Sequence, residues 1–241
     1  MLLAGCQNSN ELKIATTTSL DNSGLLEYLM PHFEEASGIK VSIIAVGTGA
    51  ALELGRSKDV DILLVHAKNQ EIEFVDEGYG DKRQDIMYND FIFVGPSTIG
   101  KDNLNDVLIY IKDNLVFYSR GDNSGTHMKE MSLWDSIDYE PSGSWYKESG
   151  QGMGNTLNMA SLDSGYTFTD RGTYLSMKDS LDLIIAYEDT MSLLNQYGVI
   201  KVNDATHSDN AEEFYQWITS NTAKELIINY VKYDEQLFYV D

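Results

Sequence analysis

Three segments rich in glycine and hydroxyl side chains each stand where an apolar run gives way to a helical pattern. They are Thr16-Thr17-Thr18-Ser19, Gly47-Thr48-Gly49 and Arg120-Gly121-Asp122-Asn123-Ser124-Gly125-Thr126. A chain that hands strand to helix repeatedly builds parallel α/β layers. The first series reads as strand Leu12–Thr16, helix Ser23–Ala36, strand Lys40–Val46, helix Gly49–Ser57, strand Val60–Val65, helix Asn69–Glu77 and strand Ile86–Gly95. Pro31 is expected to kink or split the first helix, and Gly38 to close it. The second series reads as strand Leu115–Ser119, helix Ser124–Ile137, helix Gly154–Leu162, and strands Tyr166–Thr169 and Leu181–Tyr187. Strand Val199–Val202 and helix Asn210–Tyr230 complete the chain. Two such series with a returning chain fit two lobes joined by crossover strands near residues 88–95 and 187–198. The expected partition is 1–10 as a tether, 11–90 with 198–241 as lobe 1, and 91–197 as lobe 2.

With 241 residues, 42% of them hydrophobic, the chain can bury a sizeable core in each lobe. Its 17 basic and 38 acidic residues leave a net charge of −21. That balance argues against nucleic-acid and acidic-membrane partners, whose binding rests on clustered basic residues. It also removes long-range attraction for a small anion, so an anion site here must act locally. The one cysteine, Cys6, excludes an intrachain disulfide. Its context Leu3-Ala4-Gly5-Cys6 resembles a bacterial lipoprotein cleavage box and makes Cys6 the expected lipid attachment point. No run approaches the roughly 20 apolar residues of a membrane span. The expected body is therefore soluble, extracytoplasmic and lipid-anchored to the outer face of the cell membrane.

A helix N-terminus carries unpaired N–H groups and partial positive charge. Several such ends brought together, with short hydroxyls and one guanidinium, form a cage for a small anion. The third segment is the sharpest. Ser124, Gly125 and Thr126 open a helix, glycine lets an oxyanion approach the backbone, and Arg120 adds a planar charged fork. Asp122 either pairs with Arg120 and fixes it, or accepts a hydrogen bond from a protonated ligand. Taken alone, the other two segments are equally compatible with turn and N-cap chemistry.

The stretches ATTTS (15–19), SGLLEYLMPHFEEASGIKV (23–41), AVGTGAALELGRS (45–57), DVDILLVHA (59–67), MYNDFIFVGP (87–96), SRGDNSGTH (119–127), GQGMGNTLNMAS (150–161) and TDRGTY (169–174) resemble the tungstate-binding proteins of bacterial ABC uptake systems. The resemblance runs from about residue 12 to 241, and one departure from the family's pattern is Ser97–Asn114. It implies an α/β fold of the type II periplasmic binding protein kind, two lobes with two crossovers, and an oxyanion held between them. It further implies that Thr17, Thr18, Ser19 and Thr48 donate from one lobe and Arg120, Ser124, Gly125 and Thr126 from the other, with Asp122 behind them. The implied partners are tungstate and an ABC permease, with no cofactor, no cationic metal and a monomeric chain. Molybdate, phosphate and sulfate are the alternative ligands, since the Arg120 segment is also similar to the corresponding loop of phosphate-binding proteins.

Other chemistries find little support. His32, His66, His127 and His207 lack zinc-like spacing, and Ser124 lacks a nucleophile elbow. Asp163-Ser164-Gly165 has no second triplet to complete an aspartic-protease dyad, and Gly150–Gly154 has the wrong spacing for a dinucleotide loop. An extracytoplasmic hydrolase is the weaker alternative. An adhesion role rests only on the Arg120-Gly121-Asp122 tripeptide and 15 scattered tyrosines, which core packing explains.

Overall fold

The computed structural model describes residues 10–189 and 191–240; Cys6 lies outside them. The chain divides into two units. The first holds the described residues up to Met87, then Gln196–Tyr230 and those from Phe238 on; the second holds Tyr88–Asn195 and Val231–Leu237.

The first unit opens with β1 (Glu11–Thr17), α1 (Thr18–Ser23), α2 (Leu25–Ser37), β2 (Lys40–Val46), α3 (Thr48–Arg56), β3 (Ile62–Val65) and α4 (Lys68–Asp76). β1 lies between β2 and β3, parallel to both, with Thr17 opposite Val46 and Thr16 opposite Leu64. All four residues of β3 are buried, as expected of a strand covered on both faces. Helix α2 presents Leu25, Leu26, Leu29, Met30 and Phe33 to the core. It continues through Pro31 without a split, and Gly24, whose φ of 82° suits glycine, separates it from α1. Pro31 removes one backbone hydrogen bond, but the buried stripe on either side of it holds the helix together.

β4 (Gly80–Gly95) carries the chain from the first unit into the second. There follow α5 (Leu104–Asn114), β5 (Phe117–Ser119), α6 (Gly125–Asp135), β6 (Tyr146–Glu148), α7 (Met153–Leu162), β7 (Tyr166–Asp170), α8 (Arg171–Met177) and β8 (Ile184–Glu188). β5 is parallel to both β6 and β7, while β7 and β8 each run antiparallel to β4. This unit packs around Phe91, Phe93, Phe117, Trp134 and Phe168. α5 occupies the segment for which the pattern offers no element. Its cap is legible afterwards, since Asn103 Oδ1 accepts the Asp106 N–H at 3.0 Å.

β9 (Leu194–Val202) returns the chain to the first unit and pairs antiparallel with β3. The long helix expected over 210–230 is two helices, α9 (Ser208–Ile218) and α10 (Asn221–Ile228). Ser220 caps the second, accepting the Ala223 N–H at 3.3 Å, and so divides the pattern. A hairpin of β10 (Val231–Lys232) and β11 (Glu235–Gln236) belongs to the second unit, a return the pattern does not announce.

Candidate functional site

The parallel register of β1, β2 and β3 brings the C-terminal ends of these strands level, so the loops that follow emerge side by side. Ligands of open α/β sheets bind outside such ends. Thr17 is the N-cap of α1, and its hydroxyl oxygen accepts the Leu20 N–H at 3.4 Å. The Thr17 and Ser19 hydroxyls are 3.2 Å apart, and the Ser19 hydroxyl reaches His66 Nε2 at 3.4 Å. Thr18 is exposed. Thr16 is spent on the sheet, donating to the Leu64 carbonyl at 2.8 Å.

Thr48 opens α3 behind Gly47, which provides no side-chain cap. It is only 4% exposed, and its hydroxyl has no hydrogen-bond partner among the described residues. A buried hydroxyl without a partner is costly to keep. A Cβ added at Gly47 or Gly49 would meet nothing within 4 Å, so packing does not demand glycine there. What glycine leaves at both positions is open access to the backbone.

In the second unit, β5 delivers Arg120 to the mouth of α6. Arg120 donates from Nε and Nη2 to Asp122 Oδ2, at 3.1 and 2.5 Å, and the Ser124 N–H donates to Asp122 Oδ1 at 3.1 Å. Both oxygens of Asp122 are therefore occupied. Burial works to raise its pKa, but hydrogen bonds from Ser124 and Arg120 outweigh burial and hold the carboxyl below the usual carboxylate range. Of the two roles the sequence offers for Asp122, the pair with Arg120 is the one seen here. Arg120 keeps Nη1 without a protein partner among the described residues.

Ser124 caps α6, accepting the His127 N–H at 3.4 Å. His127 Nδ1 accepts the Asn123 N–H at 3.0 Å, which places the ring proton of the neutral imidazole on Nε2. Thr126 is buried at the second position of the helix. Gly121 has φ of 60°, and a Cβ there would sit 2.8 Å from Glu148 Cβ, so only glycine fits.

Two features escape the sequence reading. The loop after β6 holds the Arg120 carbonyl, which accepts the Gly150 N–H at 2.9 Å and the Ser149 hydroxyl at 3.3 Å. Asp170, the buried N-cap of α8, accepts the Thr173 N–H at 2.8 Å and the Thr173 hydroxyl at 2.7 Å. Burial raises its pKa, while Thr173 and the Arg120 charge act the other way. Arg120 thus lies in the field of two carboxyl groups.

Two residues of the rejected chemistries are held in ion-pair contacts. His207 pairs with Asp61 at 3.0 Å, and Asp163 pairs with Lys147 at 2.6 Å. Among the described residues, no cluster of His, Cys, Asp and Glu could hold a metal ion.

Residues 4–222 match the model of the PBP superfamily domain. The chain is 45% identical to the tungstate-binding protein TupA of Peptoclostridium acidaminophilum, over 96% of this chain and 86% of that one. The solved tungstate-binding protein TupA of Desulfovibrio alaskensis G20 superposes with a TM-score of 0.87 at 43% identity, covering 96% of this chain and 98% of that one. A solved structure of the tungstate ABC transporter from Geobacter sulfurreducens superposes at 0.82 with 41% identity, covering 91% and 98%. The fold is thereby that of the type II periplasmic binding proteins.

Proposed function

The chain belongs to the PBP superfamily, beside the tungstate-binding proteins of ABC transporters, and from that membership we propose that it captures tungstate and hands it to an ABC permease. The two units act as the two halves of a cage. Thr17, Thr18, Ser19 and Thr48 donate from the first; Arg120, Ser124, Gly125 and Thr126 donate from the second; Asp122 orients Arg120. Only a closed arrangement brings both sets to one ligand, so binding shifts the population toward closure. Cys6 anchors the chain by lipid to the outer face of the cell membrane, and the protein works as a monomer and catalyses no reaction. Among the described residues no helix is long and apolar enough to cross a membrane.

The observation that carries this reading is the Thr48 hydroxyl, buried at a helix start with no hydrogen-bond partner among the described residues. A ligand that only accepts hydrogen bonds supplies the missing partner. Asp122 is ionised and accepts from Arg120 and from the Ser124 N–H, so its part in this reading is to orient the guanidinium. Phosphate retains a proton at neutral pH, whereas tungstate and molybdate are fully ionised. These two share charge and nearly share size, so the preference for tungstate over molybdate rests on the relatives.

The test is calorimetry and thermal shift with tungstate, molybdate, sulfate and phosphate, together with an assay of ester hydrolysis. The expected result is a large stabilisation by tungstate, little by phosphate, and no turnover. Stabilisation by phosphate alone, or ester turnover, would overturn the reading.

A further inference from the structure

Behind the anion loop of the second unit lies a carboxyl group to which the function above gives no part. Glu130, on α6, is 2% exposed. Its Oε2 accepts the Ser119 hydroxyl at 2.7 Å; its Oε1 accepts Trp134 Nε1–H at 3.1 Å and the Tyr146 hydroxyl at 2.8 Å. No lysine or arginine among the described residues donates to it.

The Ser119 hydroxyl does a second thing: its oxygen accepts the Gly121 N–H at 3.2 Å. That N–H and the Arg120 carbonyl are the two ends of one peptide unit. The carbonyl end is held by Gly150 and Ser149, as described above. The amide end is held by Ser119, and Ser119 by Glu130. The plane from which the Arg120 side chain springs is therefore pinned at both ends, and Glu130 is the deepest of its supports.

Glu130 sits six residues past the α6 cap, roughly 9 Å along the helix axis at 1.5 Å per residue. A dianion at that helix end faces an ionised Glu130 through poorly screened protein. Burial already pushes the Glu130 carboxyl up to about 7, against the pull of hydrogen bonds from Ser119, Tyr146 and Trp134 and with a further push from Glu148. The elements around α6 also carry Arg120 after β5, Tyr146, Lys147 and Glu148 on β6, and Tyr166 and Asp170 on β7. Lys147 is taken by Asp163, and Arg120 by Asp122.

Resting on the reading of this unit as half of a tungstate cage, we propose that Glu130 is a positioning residue for the ligand: through Ser119 it sets the Arg120–Gly121 peptide, and its carboxylate takes up one proton from solvent when the dianion binds. The proton goes to Oε1. The Tyr146 hydroxyl, which can accept as well as donate, turns to receive it. Oε2 stays an acceptor, so the Ser119 bridge and the orientation of the loop survive the change of charge.

The experiment is tungstate calorimetry on the full chain at pH 6.5 to 8.5, in pairs of buffers with different ionisation heats. Wild type takes up protons on binding, most strongly above pH 7, and its affinity falls at least about threefold between pH 6.5 and 8. Glu130→Gln loses most of that uptake and flattens the affinity profile. Comparing the two proteins also removes any share due to His127. Tyr146→Phe deletes one hydrogen bond to the ionised form, so its uptake maximum moves to higher pH. Tungstate binding with no proton uptake in wild type, or with undiminished uptake in Glu130→Gln, overturns the proposal alone. If Glu130→Gln does not fold, an unshifted maximum in Tyr146→Phe overturns it. Absence of tungstate binding in wild type would instead sink the functional reading, and this proposal with it.

Discussion

Arg120→Ala weakens tungstate binding at least tenfold, measured by calorimetry at fixed salt. A hydrogen bond to a charged group is worth roughly 1.5–3 kcal/mol, and each 1.4 kcal/mol is a factor of ten. In this chain that contribution has few substitutes. The net charge is −21, so no surrounding positive field compensates for the lost cation. The remaining donors are hydroxyls and amides. Asp122 fixes the plane of the guanidinium before the ligand arrives, which lowers the ordering cost of binding. The variant also leaves Asp122 and the buried Asp170 without their nearby cation, so its melting temperature should fall as well. Affinity is therefore the deciding readout, taken at a temperature where the variant is folded. Unchanged affinity would remove Arg120 from the site.

Thr48→Val separates binding from stability. Valine matches the shape of threonine and deletes only the hydroxyl, which is buried and has no partner among the described residues. Without ligand, the deletion removes an unsatisfied buried group whose desolvation costs about 1–3 kcal/mol. The ligand-free protein should therefore melt at the same temperature or higher. Tungstate affinity should fall about tenfold or more, because the hydroxyl would donate to a charged ligand. A stabilised protein that binds worse is the mark of a group kept for its ligand. Loss of stability with unchanged affinity would make Thr48 an ordinary packing residue.

Much of the candidate site is legible in the sequence because the relevant chemistry is local. A helix start announces itself by the residues around it, as Ser124-Gly125-Thr126 and Gly47-Thr48-Gly49 do. The strands β1, β2 and β5 announce themselves by apolar runs. The part that stays hidden depends on pairing across the sheet. Ser119 meets Glu130 across eleven residues, and the Arg120 carbonyl meets Gly150 across thirty; neither spacing has a sequence signature. Asp170 looks like any N-cap until the fold buries it beside Arg120. The split expected at Pro31 does not occur for a different reason. Pro31 is a strong breaker by propensity, yet the apolar stripe of α2 overrides it, and the chain instead turns ahead of the helix at Gly24, whose backbone sits in the left-handed region.

The most direct test is a crystal structure of the protein with tungstate, with the tungsten located by its anomalous scattering. One strong tungsten peak is expected, with its oxygens within hydrogen-bonding distance of both the Thr48 hydroxyl and the Arg120 guanidinium. A peak that touches neither, or only one of the two, would contradict the claim that both units close on a single oxyanion.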